Sequence, residues 1–125
     1  MPGHDFNVAG FADIRLADLD TLTKVQVDAL PFGVIGLSQD GLVAVYNATE
    51  SRLAGLSAES VIGSHFFLNT AQCMNNFLVA QRFEDEAELD TIIDFVLTLR
   101  MRPTPVRLRM LKGAAAPRHY ILIQR

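Results

Sequence analysis

Two spacings of apolar residues alternate along the chain and divide it into helical and extended parts. In residues 13–30 the apolar positions recur at steps of three and four, which predicts two short helices. Pro31 ends that pattern. Residues 32–38 and 42–47 are apolar runs of similar length, separated by Gln39-Asp40-Gly41. Asp-Gly between two apolar runs predicts a hairpin of two antiparallel strands.

The segment after the hairpin carries helical signals. Asn47 can cap a short helix over residues 48–54, because its side-chain oxygen can accept a backbone N–H of the first turn, and Gly55 can end that helix. Ser57 can cap a second turn that ends at Gly63. This part of the chain therefore predicts short helices and loops rather than strands.

Residues 75–89 have the most regular helical pattern, and they predict a longer helix. Its acidic run, residues 84–88, is interpreted as a solvated helix end, because the carboxylates lack the spacing of a calcium loop. From residue 90 the spacing drops towards two, which predicts strands over residues 91–101, 106–111 and 119–124. In the second of these strands, Arg107 and Arg109 alternate with apolar residues and are expected to point outward.

This order of elements predicts an α+β fold: a five-stranded antiparallel sheet with short helices on one face and an N-terminal helical cap. A chain of 125 residues is expected to form a single domain, with the cap at residues 1–30 and the core at residues 31–125. Such a fold leaves room for a small-ligand cavity between the sheet and the helices.

Composition excludes several partners. The chain is 50% hydrophobic and 20% charged with a net charge of −3, so neither nucleic acid nor an anionic membrane surface is an expected partner. The N-terminus lacks the pattern of a signal peptide, and no apolar run approaches the ~20 residues that cross a bilayer. A single cysteine fits a reducing compartment, so we expect a cytoplasmic protein.

The candidate chemistry lies between Tyr46 and Cys73. Tyr46 and Glu50 are four residues apart, so on a helical turn their side chains point the same way. Cys73, the sole cysteine, follows Phe66 and Phe67. We interpret the tyrosine, the glutamate and the cysteine as converging on one buried ligand. Each also has an ordinary interpretation: a strand-end tyrosine, an exposed helix residue, and a small core residue.

The sequence gives little support for an enzyme or a metal protein. His4, His65 and His119 lack metal-ligand spacing, and Gly33 and Gly36 do not make a dinucleotide-binding fingerprint. His65, eight residues before Cys73, could promote thiolate formation, although a histidine in this context is more often a loop or surface residue. We therefore expect no catalytic residues and no metal site.

Residues 31–67 resemble the first half of a PAS domain, and the chain from Asp13 to Arg125 is similar to the photoactive yellow protein family. The first resemblance lies in Pro-Phe-Gly, the Asp-Gly hairpin and Tyr-Asn at the end of the second strand. The matches to the family are Tyr46-Asn47, Glu50, Ile62-Gly63, Phe66-Phe67, Ala71, Cys73, Met101, Pro103-Thr104, Val106 and Met110.

The resemblance implies a bacterial blue-light photoreceptor that carries 4-hydroxycinnamic (p-coumaric) acid as a thioester on Cys73. By match, Tyr46 and a protonated Glu50 hydrogen-bond the phenolate of this chromophore, and Met101 assists return to the dark state. Phe66 and Thr70 complete the expected cofactor-binding set. The signal would arise from trans–cis isomerisation and proton transfer from Glu50, which would loosen residues 1–30.

The chain departs from the family at three positions. Gln72 stands where the family has proline before the cysteine, Ala54 where it has a threonine that supports the tyrosine, and Leu56 where it has an arginine that shields the chromophore. These changes leave open a second interpretation, a PAS module that binds another small ligand or a partner protein without photochemistry. On either interpretation the output passes through an unknown downstream signalling protein or a homodimer.

Overall fold

The computed structural model describes residues 10–98 and 102–125. These residues form the helices α1 (Leu16–Thr21), α2 (Lys24–Asp28), α3 (Ala48–Ala54), α4 (Ala58–Val61) and α5 (Ala80–Asp85), a π-helical turn (Phe66–Thr70), a 3-10 turn (Gln72–Met74), and the strands β1 (Gly33–Leu37), β2 (Val43–Tyr46), β3 (Leu89–Leu97), β4 (Thr104–Lys112) and β5 (His119–Gln124). Throughout the described ranges, each helix falls short of the length and apolar character that crossing a membrane requires.

The five strands form one antiparallel sheet in the order β2-β1-β5-β4-β3. The predicted hairpin is present, and Gly41 at its turn has a φ of 85°, a conformation that glycine adopts without strain. Strand β1 is an inner strand of the sheet because it pairs with β2 on one side and with β5 on the other. The α+β fold predicted from the sequence is thus confirmed.

The sheet separates two hydrophobic cores. Helices and turns between residues 48 and 85 cover one face, where they bury Ile121 and Ile123 of β5. The N-terminal segment, residues 10–30, covers the opposite face over Tyr120 and Leu122. Successive residues of a strand point to opposite faces, so β5 is buried on both sides.

The prediction that Arg109 points outward is wrong. Arg107 is exposed, but the Arg109 side chain is only 5% exposed and lies beneath the N-terminal segment. Its Nη1 donates to the carbonyl oxygens of Phe11 at 2.9 Å and Ile14 at 2.5 Å, and its Nε and Nη2 donate to the Asp90 carboxylate. Arg109 can be buried because its guanidinium finds acceptors on the packed segment.

The predicted helix over residues 75–89 is shorter in the structure and spans Ala80–Asp85. The side chain of Asn76 accepts hydrogen bonds from the backbone N–H groups of Leu78 and Val79 and donates to the carbonyl of Cys73. An asparagine that bonds nearby backbone groups offers them an alternative to a helix, so the first turn is not helical. The last residue of the predicted helix, Leu89, instead begins strand β3.

Candidate functional site

Asn47 sets the position of the candidate site. Its Oδ1 accepts from the backbone N–H of Glu50 at 3.0 Å, which caps α3 as predicted, and from that of Val34 at 2.9 Å. Its Nδ2 donates to the carbonyls of Val27 at 2.9 Å and Phe32 at 3.0 Å. The side chain is buried and ties the start of α3 both to β1 and to the end of the N-terminal segment.

Glu50 lies against β1 at a position where only glycine fits. It is 1% exposed, and a Cβ added at Gly33 would overlap its Oε1 and lie 3.1 Å from its Cδ. Neither the spacing of Gly33 and Gly36 nor the Pro-Phe-Gly match predicts this role. A glycine facing a carboxyl group has no local sequence pattern, because α3 and β1 meet only in the tertiary structure.

The Glu50 carboxyl group forms a two-point ion pair with Arg125. Arg125 Nη1 donates to Oε1 at 2.7 Å and Nη2 donates to Oε2 at 3.2 Å. A guanidinium matches an ionised carboxylate in this arrangement. The sequence analysis predicts a protonated, uncharged Glu50. The ion pair with Arg125 is instead the arrangement of an ionised Glu50. A protonated Glu50 remains a prediction for the chromophore-bound protein.

Tyr46 ends β2, four residues before Glu50, and is 6% exposed. Burial raises the pKa of the Tyr46 phenol, the charge of Glu50 raises it further, and the charge of Arg125 opposes both. The phenol is therefore an O–H donor at neutral pH. Tyr46 is therefore close enough to Glu50 and Arg125 to be affected by the charge of each.

Cys73 and Phe66 belong to the same hydrophobic core as Tyr46. Cys73 lies in the 3-10 turn, is partly buried and packs against that core, so its sulfur is neither sealed off nor freely solvated. Phe66 is almost fully buried and meets Phe67 edge to face, with ring centroids 5.3 Å apart. His65 caps the π-helical turn, where its Nδ1 accepts from a backbone N–H.

The remaining predicted site residues are Thr70 and Met101. The Thr70 hydroxyl lies 3.2 Å from the hydroxyl of Ser64. Met101 lies outside the described residues.

The three departures from the family have different surroundings. The Gln72 amide donates to the Leu68 carbonyl at 2.7 Å, Ala54 is buried at the end of α3, and Leu56 packs against the core that contains Tyr46. Leu56 therefore adds apolar surface where the family has a charge.

These side chains have the chemistry that a small aromatic acid requires. Tyr46 supplies a hydroxyl donor, Glu50 an acidic group and Arg125 a positive charge, and the neighbouring core supplies apolar walls. A partly buried thiol adjoins the same core. Buried anions need such donors, because removing a charge from water without them is costly.

The chain is similar to photoactive yellow proteins from several bacteria. The chain is 32% identical to a photoactive yellow protein of Rhodothalassium salexigens over 119 residues, which cover 93% of the chain and 94% of that protein. It is 31% identical to a photoactive yellow protein of Halochromatium salexigens over 110 residues, or 86% of the chain and 88% of the relative. No family model matches the chain.

Solved structures give the same result. The photoactive yellow protein domain of the sensor histidine kinase Ppr from Rhodospirillum centenum superposes with a TM-score of 0.81 at 35% identity, covering 88% of this chain and 99% of that domain. The PAS domain of an HTR-like protein from Haloarcula marismortui superposes with a TM-score of 0.63 at 13% identity, covering 82% and 91%, which shows the fold alone. The predicted PAS fold is confirmed.

Proposed function

The chain belongs to the photoactive yellow protein family, and from this premise we propose that it is a blue-light photoreceptor that carries 4-hydroxycinnamic acid as a thioester on Cys73. The observation that carries the proposal is the burial of Tyr46 and Glu50, four residues apart, together with the packing of Cys73 against the core that contains Tyr46. When bound, the 4-hydroxycinnamoyl group supplies blue-light absorption and a double bond that can isomerise.

The residues present fit such a group. The phenol of Tyr46 donates to the phenolate oxygen, and a protonated Glu50 donates a second hydrogen bond, which is stronger because the acceptor is charged. Phe66 gives an apolar wall, and Thr70 and Met101 complete the proposed set. Cys73 reacts as its thiolate with the carbonyl carbon of an activated 4-hydroxycinnamic acid, and the activating group leaves with the bonding electron pair.

The signal begins with a change in the charge of Glu50. Loss of the Glu50 proton to the phenolate moves the negative charge of the site onto α3, beside Arg125, and this change in the Glu50–Arg125 ion pair shifts α3. Helix α3 is tied to the N-terminal segment, because Asn47 donates to the Val27 carbonyl and Thr49 donates to the Leu30 carbonyl at 2.5 Å. A shift of α3 therefore acts on residues 1–30, which we propose to loosen in light.

The output is proposed to pass to a signalling partner rather than to a reaction catalysed by this chain. The similar domain from Rhodospirillum centenum is part of a sensor histidine kinase, so a kinase is a reasonable class of partner. A cytoplasmic location and a homodimer as an alternative output remain part of the proposal.

Reconstitution tests the chromophore. The purified protein is mixed with activated 4-hydroxycinnamic acid, and a yellow adduct with the mass gain of one 4-hydroxycinnamoyl group is expected. Cys73→Ala is expected to stay colourless while keeping the circular dichroism of the parent. A folded parent that remains colourless and gains no mass would leave the second candidate, a PAS module without photochemistry. The substitution of Leu56 for a family arginine favours that candidate.

Hydrogen exchange tests the trigger. In the reconstituted parent, light is expected to increase exchange in residues 1–30, and Glu50→Gln is expected to weaken this change because the glutamine has no acidic proton to lose. If reconstituted Glu50→Gln loosens residues 1–30 as fully as the parent does, proton transfer from Glu50 is not the trigger.

A further inference from the structure

Arg125 connects the buried site to the protein surface. Its side chain is 19% exposed, whereas the Glu50 side chain with which it pairs is 1% exposed. Arg125 also lines a surface groove of about 630 Å³, together with Asp94 and Arg107. The guanidinium thus enters the site from the end of the sheet where β5 finishes.

The charge of Arg125 acts on two acidic groups, the Glu50 carboxyl and the Tyr46 phenol. Its charge acts on Glu50 through the ion pair, and it also lowers the pKa of the Tyr46 phenol against the effects of burial and of Glu50. Two neighbouring buried acids do not ionise together readily, because their like charges repel. One guanidinium is enough for the one negative charge that such a pair holds.

We propose that Arg125 is the counter-ion of the chromophore site and pairs the single negative charge that Glu50 and the chromophore phenol share. In the empty protein this charge resides on Glu50. In the loaded protein Arg125 stabilises the ionised pair, whichever member carries the proton. The part that concerns the phenol rests on the proposed function, whereas the part that concerns Glu50 rests on the geometry of the ion pair.

The empty protein gives the first test, by urea unfolding of Arg125→Gln, Glu50→Gln and the double variant. Arg125→Gln is expected to lower the urea midpoint by about 1 M, because Glu50 is left buried without its partner. In the Glu50→Gln background, Arg125→Gln is expected to lower the urea midpoint by less than a third as much. In the parent background, Arg125→Lys is expected to keep most of the stability that Arg125→Gln loses. Equal losses in both backgrounds would show that the pair does not form.

The loaded protein gives the second test. In the Glu50→Gln background the phenol titrates without the neighbouring acid, and the pH midpoint of its visible band reports its affinity for the proton. Removing the cation with Arg125→Gln is expected to raise this midpoint by about one pH unit, a tenfold change, and Arg125→Lys by less than half as much. Tyr46, whose pKa the Arg125 charge affects, and Asp94 and Arg107, which line the same groove as Arg125, stay unchanged in these variants.

The two tests separate the hypotheses. Equal midpoints with and without Arg125 overturn the counter-ion role toward the phenol but leave the proposed function standing. If the parent forms no adduct, the proposed function and the phenol part fail together, and the urea experiment alone decides the Glu50 part.

Discussion

Replacing Arg109 with methionine should detach the N-terminal segment from the sheet. Methionine keeps an apolar stem of similar length, so the change removes the guanidinium and leaves the packing largely intact. The lost contacts are two hydrogen bonds to the carbonyls of Phe11 and Ile14 and an ion pair with Asp90. The residue is buried, so water cannot replace the guanidinium without the segment moving.

The magnitude follows from the exposure of each partner. A hydrogen bond from a charged group contributes about 1.5–3 kcal/mol, so the two carbonyl contacts suggest about 3 kcal/mol or more. The Asp90 side chain is 61% exposed, which limits its pair with Arg109 to about 0–1 kcal/mol. A loss of about 3 kcal/mol is a large part of the 5–15 kcal/mol that stabilises a typical domain.

Urea unfolding and hydrogen exchange measure the effect. Arg109→Met is expected to lower the urea midpoint by about 1–3 M and to speed exchange at the amides of Asp13 and Ile14, which bond to the Gly10 carbonyl. Arg107→Met is the matched control, since Arg107 is exposed two residues earlier on β4, and it should change stability by less than about 0.5 kcal/mol. If Arg109→Met costs no more than Arg107→Met, the anchoring role of Arg109 is refuted.

The remaining predictions concern a glycine and a histidine. Gly33→Ala is expected to cost about 1–3 kcal/mol in urea unfolding, because the new methyl group overlaps the Glu50 carboxyl; Gly10→Ala, whose Cβ would meet its nearest atom at 4.0 Å, is the control, and similar costs at both positions would contradict the overlap. Burial, with a smaller effect of the Lys112 charge, lowers the pKa of His119, so the unfolded chain binds a proton there more readily than the folded protein does. The free energy of unfolding should therefore fall as the pH drops from about 6.5 towards the lower pKa of the folded state, and His119→Gln should reduce this slope; an unchanged slope would show that His119 does not cause it.

Short-range signals determined the parts of the fold that neighbouring residues can specify. Asp40-Gly41 predicted the hairpin, because its turn needs a residue that tolerates positive φ, and the Asn47 cap and Gly55 predicted the bounds of α3. Tyr46 and Glu50 could be predicted as neighbours because they are four residues apart in the sequence, although Tyr46 lies at the end of β2 and not on the helix. The helix predicted over residues 75–89 failed at its start, where Asn76 bonds to the backbone in a way that a hydrophobic pattern does not reveal.

Only the tertiary structure decided which charges meet in the interior. Glu50 and Arg125 are 75 residues apart, and they meet because β5 pairs with β1, the strand against which α3 packs. The sequence predicts that Arg109 lies on the outward face of an amphipathic strand. In the structure the N-terminal segment covers that face. Hydrophobic spacing along a chain shows which side of a strand is apolar, but pairing between distant strands determines what covers each side.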